Sequence, residues 1–240
     1  MKPGRIWELD ALRGLCILGV AAVHFVYDLV DLYGLVRWEY PVWFELLKNW
    51  GGTVFFLLSG TCVTLGSRSL RRGGIVFTCG MLCTAVTWGM YRLDMADRSM
   101  VIWFGALHCL GLCMLIWPVF RKAPRWLTAA VGAVLTAVGM YWQLSHARGD
   151  LFWMIPLGVP THDFVSPDYF PLLPFLGYFL VGAAVGKLLY PQRRSLLPGA
   201  QEKWMPVRFL CASGRQSLLI YLLHQPVLMA VCMLIDAVSR

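Results

Sequence analysis

Seven long apolar runs constrain this chain more than anything else in it. They cover residues 12–33, 50–66, 74–91, 100–120, 126–144, 169–190 and 216–235. A helix needs about 20 residues to cross a hydrocarbon core roughly 30 Å thick, and these runs approach or reach that length. In lipid every backbone N–H and C=O must be paired within the protein, so a spanning run of this length is helical. The reading is an all-α, polytopic transmembrane helix bundle of about seven spans, with residues 1–240 as a single transmembrane domain. Composition agrees: 58% of the residues are hydrophobic and only 14% charged, where soluble domains are roughly one quarter charged. The second run is short, and residues 42–47 either extend it or lie along the interface. No linker, internal repeat or low-complexity tract interrupts the pattern. No cleavable leader is expected, because the first run is long enough to span and no small-residue cleavage site follows it.

The net charge of +8 would point to nucleic acid in a soluble protein. Here the cations sit in short loops between apolar runs, where they set membrane orientation instead. Most of the 21 lysines and arginines fall in the N-terminal segment and in every second loop after it; only Arg37, Lys48, Arg92, Arg98, Arg148 and Arg240 fall on the other side. The N-terminus is therefore expected in the cytoplasm and the C-terminus outside, with membrane lipid as a partner and nucleic acid excluded. Trp38, Trp43, Trp50, Trp103 and Trp153 fall near the outer interface and Trp126 and Trp204 near the inner one, as aromatic belts do. The polar stretch 149–168, with His162, Asp163 and Asp168, reads as an outer cap or re-entrant loop where a ligand is met. The eight cysteines lie in or beside apolar runs and read as small packing residues, not as disulfides or metal ligands.

Ionisable groups inside spans are costly and rare, so each is a candidate for function. The first run is the richest. His24 lies eleven residues after Arg13; at about 100° per residue it returns to within roughly 20° of the same face, about 16 Å further along. Asp28 and Asp31 continue the stripe at i+4 and i+7 from His24. A carboxylate one turn from an imidazole orients it and raises its basicity, which makes His24 with Asp28 the candidate acid–base centre. His108 and His224 fall at similar depth in their own runs, and Ser59 lies on the second, which together imply a shared polar cavity. The alternative for each is structural: Arg13 snorkels, the aspartates sit at the interface, and the histidines are satisfied by neighbouring helices. His224-Gln225-Pro226 is expected to interrupt the last run, since proline frees a carbonyl one turn earlier. Ser59-Gly60 lacks the strand–turn–helix setting of a nucleophile elbow.

The stretch RIWELDALRGLCILGVAAVHFVYDL, with ten residues between Arg13 and His24, resembles the hallmark of the acyltransferase type 3 membrane proteins, and TVFFLLSG resembles their FF-x-LSG motif. FGALHCLGL, DYFPLLPFLGYFLVGAAVGK and GRQSLLIYLLHQPVL resemble more closely the short bacterial members of the heparan-alpha-glucosaminide N-acetyltransferase-like family. The resemblance covers most of the chain. It implies an acyl-CoA-dependent transferase in a bacterial plasma membrane, taking acetyl-CoA or another acyl-CoA from the cytoplasm and modifying a sugar or lipid-linked acceptor without a metal. Arg13 and His24 match the family's arginine–histidine pair, and Asp10 an acidic position before it. In the lysosomal relatives the position matching His24 is an asparagine, and the catalytic histidine lies further along, where this chain has none.

Residue chemistry fits that reaction. CoA is an anionic nucleotide on a thin arm, so Arg13, Arg71 and Arg72 are the candidate phosphate contacts, with Ser59 beside the arm. His24, aided by Asp28, is the candidate general base or acyl carrier. His108, Asp168 and His224 are the candidate acceptor contacts. A homo-oligomer is compatible with all of this. The competing class is a transporter or flippase using the same polar stripe as a path, although no inverted repeat is visible; a seven-span receptor has only its span count in favour.

Overall fold

The structure, a computed structural model, describes residues 6–197 and 204–239. Lys2, Arg5, Lys203 and Arg240 of the loop charges lie outside the described residues. Among those described, regular structure is helical throughout, in eight α-helices. They are α1 (Trp7–Tyr27), continued by a π-helical segment (Asp28–Leu32), α2 (Val42–Val63), α3 (Ser69–Arg92), α4 (Ala106–Arg121), α5 (Arg125–Leu144), α6 (Leu172–Leu189), α7 (Met205–Arg215) and α8 (Ser217–Ser239). Five stretches are long and apolar enough to cross a membrane: Trp7–Leu32, Ser69–Arg92, Arg125–Leu144, Leu172–Leu189 and Ser217–Val238. Their outward side chains are apolar, Leu82 on α3 being 57% and Val134 on α5 60% exposed. Such a surface suits lipid and not water. The protein is a multi-pass membrane protein.

The two remaining apolar runs form α2 and α4. Residues 42–47 extend α2, which carries Glu45 and Lys48 3.7 Å apart on its first turns. The run 100–120 turns helical only at Ala106, because Arg98–Met100 is a 3₁₀ turn and Gly105 is extended; α4 is thereby only 16 residues long. Pro226 does not interrupt the last run. α8 continues through it, with the proline accepted inside the helix.

The chain forms two compact units, Met1–Phe55 with Gln192–Arg240, and Phe56–Pro191. In the first, α7 lies on α1 through a pair of glycines. A Cβ on Gly14 would strike the Leu210 carbonyl, and one on Gly214 the Asp10 carbonyl. Glu8 ties down the chain before α7, accepting from Ser195 Oγ and the Leu196 N–H, each at 2.8 Å. The second unit repeats the device where α2 meets α6, α3 meets α4 and α5 meets α6. Gly60 of α2 faces the Phe179 carbonyl and Gly182 of α6 faces the Leu57 carbonyl, while Thr61 Oγ1 donates to the Gly182 carbonyl at 2.9 Å. A Cβ on Gly73 of α3 would sit 2.9 Å from the Gly111 carbonyl of α4, and one on Gly132 of α5 2.9 Å from the Val181 N of α6. Lipid tails are as apolar as leucine, so helices in a bilayer associate by close backbone approach, which small residues permit.

Lys187 closes the other end of this unit. Its Nζ donates to the carbonyls of Phe120 (2.8 Å) and Ala123 (2.7 Å) and to Thr128 Oγ1 (3.1 Å), and lies 5.0 Å over the Trp117 ring. The final carbonyls of a helix have no partner within it and carry partial negative charge, so a cation there satisfies both needs. One of the basic residues counted in the loops is thus a helix cap.

Candidate functional site

In the first unit the polar residues of α1 meet those of α8. Arg13 Nη2 donates to Ser217 Oγ at 2.7 Å. Further along, the rings of His24 and His224 stand edge to face, with centroids 5.0 Å apart and planes at 68°. Beyond them Asp28 is 0% exposed, and both its oxygens accept from Gln225 Nε2 at 3.1 Å. The partner that the structure gives the Asp28 carboxylate is thus the amide of Gln225, a residue of another helix, and not His24 on its own.

The π-helical winding explains why the stripe read from the first run does not continue. An i→i+5 turn holds more residues than an α-turn, so the side chains beyond Asp28 leave the face predicted by 100° steps. Asp31 is exposed at the very end of the first span and accepts from the Tyr40 hydroxyl at 2.7 Å. Burial first, and then the Asp31 carboxylate, push the Tyr40 phenol up to about 12.

The hydrogen bonds of His224 define its state. Nδ1 lies against the Tyr221 carbonyl one turn earlier. A carbonyl only accepts, so Nδ1 carries the proton and Nε2 the lone pair in the neutral ring. That Nε2 is buried and has no hydrogen-bond partner, and the same holds for Oε1 of Gln225. Buried polar atoms are nearly always paired, so two orphans on adjacent residues beside a second histidine mark this place chemically.

His108 is arranged in the opposite way. It is 2% exposed and belongs to the second unit, at the start of α4. Its Nδ1 accepts from the Gly105 N–H at 3.1 Å. Its Nε2 lies 3.2 Å from Thr84 Oγ1, whose own proton goes to the Ile102 carbonyl at 2.6 Å. Nε2 is therefore the donor, and neither nitrogen is left for a ligand. Asp168 serves the same helix end: Oδ2 accepts from the Ala106 N–H at 3.1 Å, placing a carboxylate at the positive end of α4. The structure so brings His108 and Asp168 together as caps of one helix, where acceptor contacts were expected.

Ser59 is 6% exposed beside the Gly60 crossing. Arg71 and Arg72 are exposed on the first turn of α3. Arg13 commits one donor to Ser217 out of five in its guanidinium. Arg71 and Arg72 thus present their charge at the surface of the second unit, whereas Ser59 is enclosed within it. Tyr221, Gln225 and Ser217 are site residues that residue-by-residue reading missed. The signal was present in the polar His224-Gln225 pair inside an apolar run.

Loops of the second unit hold a cavity of about 230 Å³, lined among others by Arg98, Trp103, Phe152, Thr161, Asp163 and Phe164. It lies in the stretch read as an outer cap. Tyr169 supports that loop by donating to the Ile155 carbonyl at 2.6 Å, and burial pushes its phenol up.

No curated protein and no solved structure matches the chain. A family model does, over residues 5–226, a span that takes in the α1–α8 histidine pair and both caps of α4. By that match the chain belongs to the family described as heparan-alpha-glucosaminide N-acetyltransferase, catalytic.

Proposed function

We propose that this membrane acetyltransferase takes its acetyl group from acetyl-CoA and transfers it to the amine or hydroxyl of a sugar or lipid-linked acceptor. The His24–His224 pair is its proton-handling centre. The observation that carries this reading is the pair itself, two imidazoles 5.0 Å apart inside spanning helices, with a lone-pair nitrogen that nothing in the protein occupies. Acyl transfer from a thioester needs such a group, because the acceptor's proton must leave as its nitrogen or oxygen attacks. Arg13, in the same unit as the histidine pair, supplies positive charge for the CoA phosphates, on the side that the loop charges assign to the cytoplasm. The membrane is the plasma membrane of a bacterium.

The test uses the full chain purified in detergent or nanodiscs with radiolabelled acetyl-CoA. Binding is expected to weaken as salt rises, since phosphate contacts of exposed arginines are screened. With a glucosaminide as acceptor probe, CoA thiol is released in step with acetylated product. Acetyl-CoA that fails to bind at any salt concentration, or protein-dependent flux of acceptor across a vesicle without thiol release, refutes the transferase reading.

A further inference from the structure

We infer that His224, through Nε2, is the proton acceptor of the transfer, and that His24 positions it. The inference rests on the acetyl-transfer reading and assigns within it the roles of the two histidines. The His224 ring is held on three sides. Nδ1 is tied to the Tyr221 carbonyl, the Tyr221 ring lies 5.3 Å from it at 56°, and the His24 ring stands edge-on at 5.0 Å. What remains is Nε2, buried and without a partner. The tautomer is fixed by the carbonyl, so this nitrogen carries the lone pair in the neutral enzyme. Those are the requirements for a preorganised base: one unpaired orbital, one orientation, and no competing hydrogen bond that must first be broken. His24 has no such bond fixing its tautomer; its recorded contact is the ring of His224. Asp28 and Gln225 complete the setting. Gln225 anchors to the Asp28 carboxylate the turn of α8 that bears His224, and places a buried carboxylate near the nitrogen that becomes positive.

The acceptor's amine or hydroxyl attacks the thioester carbonyl carbon while Nε2 takes its proton. The tetrahedral intermediate collapses, the C–S bond breaks, and the CoA thiolate removes the proton from Nε2 and leaves as the thiol. The nitrogen is returned to its starting state.

Two measurements test this. In ¹⁵N-histidine-labelled protein in nanodiscs, the His224 ring, assigned by its loss in His224→Gln, is expected to show a protonated Nδ1 and an unprotonated Nε2 near neutral pH. A protonated Nε2 in the neutral ring overturns the inference without any activity assay. In the second, acetyl-CoA and a glucosaminide are turned over by wild type, His24→Gln and His224→Gln. The titratable groups packed around Nε2 are His24 on α1, Asp28 on the π-segment and Tyr221 on α8 itself. Wild-type kcat/KM is expected to rise with pH as the imidazole loses its proton. His224→Gln is expected to fall by about two to four orders of magnitude and to lose that rise, with acetyl-CoA still bound. His24→Gln is expected to fall by about tenfold or less and to keep the rise at a shifted pH. A His224→Gln enzyme that keeps its turnover and pH profile beside an active wild type overturns the inference alone. A wild type that never acetylates the probe overturns the acetyl-transfer reading, and the inference with it.

Discussion

Replacing Gly60 by alanine tests how tightly α2 and α6 are locked. The added Cβ would strike the Phe179 carbonyl oxygen, and would lie 2.8 Å from its carbon and 3.0 Å from the Ala183 nitrogen. All three are backbone atoms of α6, so no side chain can turn aside. Retreat of the helix is opposed in turn by Gly182, seated on the Leu57 carbonyl, and by the Thr61–Gly182 hydrogen bond. Overpacking costs about 1–3 kcal/mol, and a clash of backbone on backbone belongs at about 3. Alanine regains about 1 kcal/mol over glycine in a helix. The net loss is about 2 kcal/mol, which multiplies the unfolded fraction by roughly 30. Gly74 on α3 is the internal control, with nothing within 4 Å of its Cβ position. Gly74→Ala is expected to keep the propensity gain and unfold later than wild type. The assay is thermal unfolding in detergent read by thiol labelling, because Cys109 and Cys113 are fully buried in this unit. A Gly60→Ala protein that melts with wild type, or both variants shifting in one direction, would refute the crossing argument.

Asp168→Ala is expected to lower stability by about 1 kcal/mol through loss of the α4 cap, with Asp168→Asn milder because its oxygen still accepts; KM for acceptor should not move in either, which steady-state kinetics alongside melting curves will check. Tyr40 should ionise at about 12 in an ultraviolet titration, against about 10 for a free phenol. Because the fold favours the protonated phenol, the Tyr40–Asp31 contact is fully present below pH about 10 and is lost as pH rises through about 12; Asp31→Asn should bring the transition down. From the loop charges the N-terminus is expected in the cytoplasm and the C-terminus outside; a reporter fused after Arg240 should then be active only on the outer side, and cytoplasmic activity would reverse the topology.

Hydropathy alone located the spanning helices α1, α3, α5, α6 and α8, because a spanning helix must be apolar along its length; it passed over α7, which is short and polar. What it could not show is how they touch. The glycines that seat α2 on α6 look like any glycine until a carbonyl is found opposite. Arg13, His24, Asp28 and His224 stood out as ionisable groups in apolar surroundings, and all four lie at contacts between the first span and α8 that about 200 residues of chain separate. Their pairing was not legible. Spacing on one helix linked Asp28 to His24, whereas the carboxylate is taken by Gln225, a neutral residue that a search for charge passes over. His108 and Asp168 drew attention for the same reason as His24, yet their partners are the N–H groups of Gly105 and Ala106, which no side-chain pattern announces. The π-turn at Asp28 is likewise a matter of backbone winding, and it moved Asp31 off the expected face.

That turn has a mechanical consequence. Five residues wound i→i+5 at the outer end of the first span hold an extra residue's worth of chain in hand. Rewinding them as an α-helix would screw everything beyond Leu32 around the helix axis relative to Asp28, while Asp28 itself stays anchored to α8 through Gln225. The Asp31–Tyr40 contact would then be carried to a new bearing. The polar centre between α1 and α8 is in this way geared apart from the outer loop that follows it. A rotation of that loop would leave the two imidazoles in register.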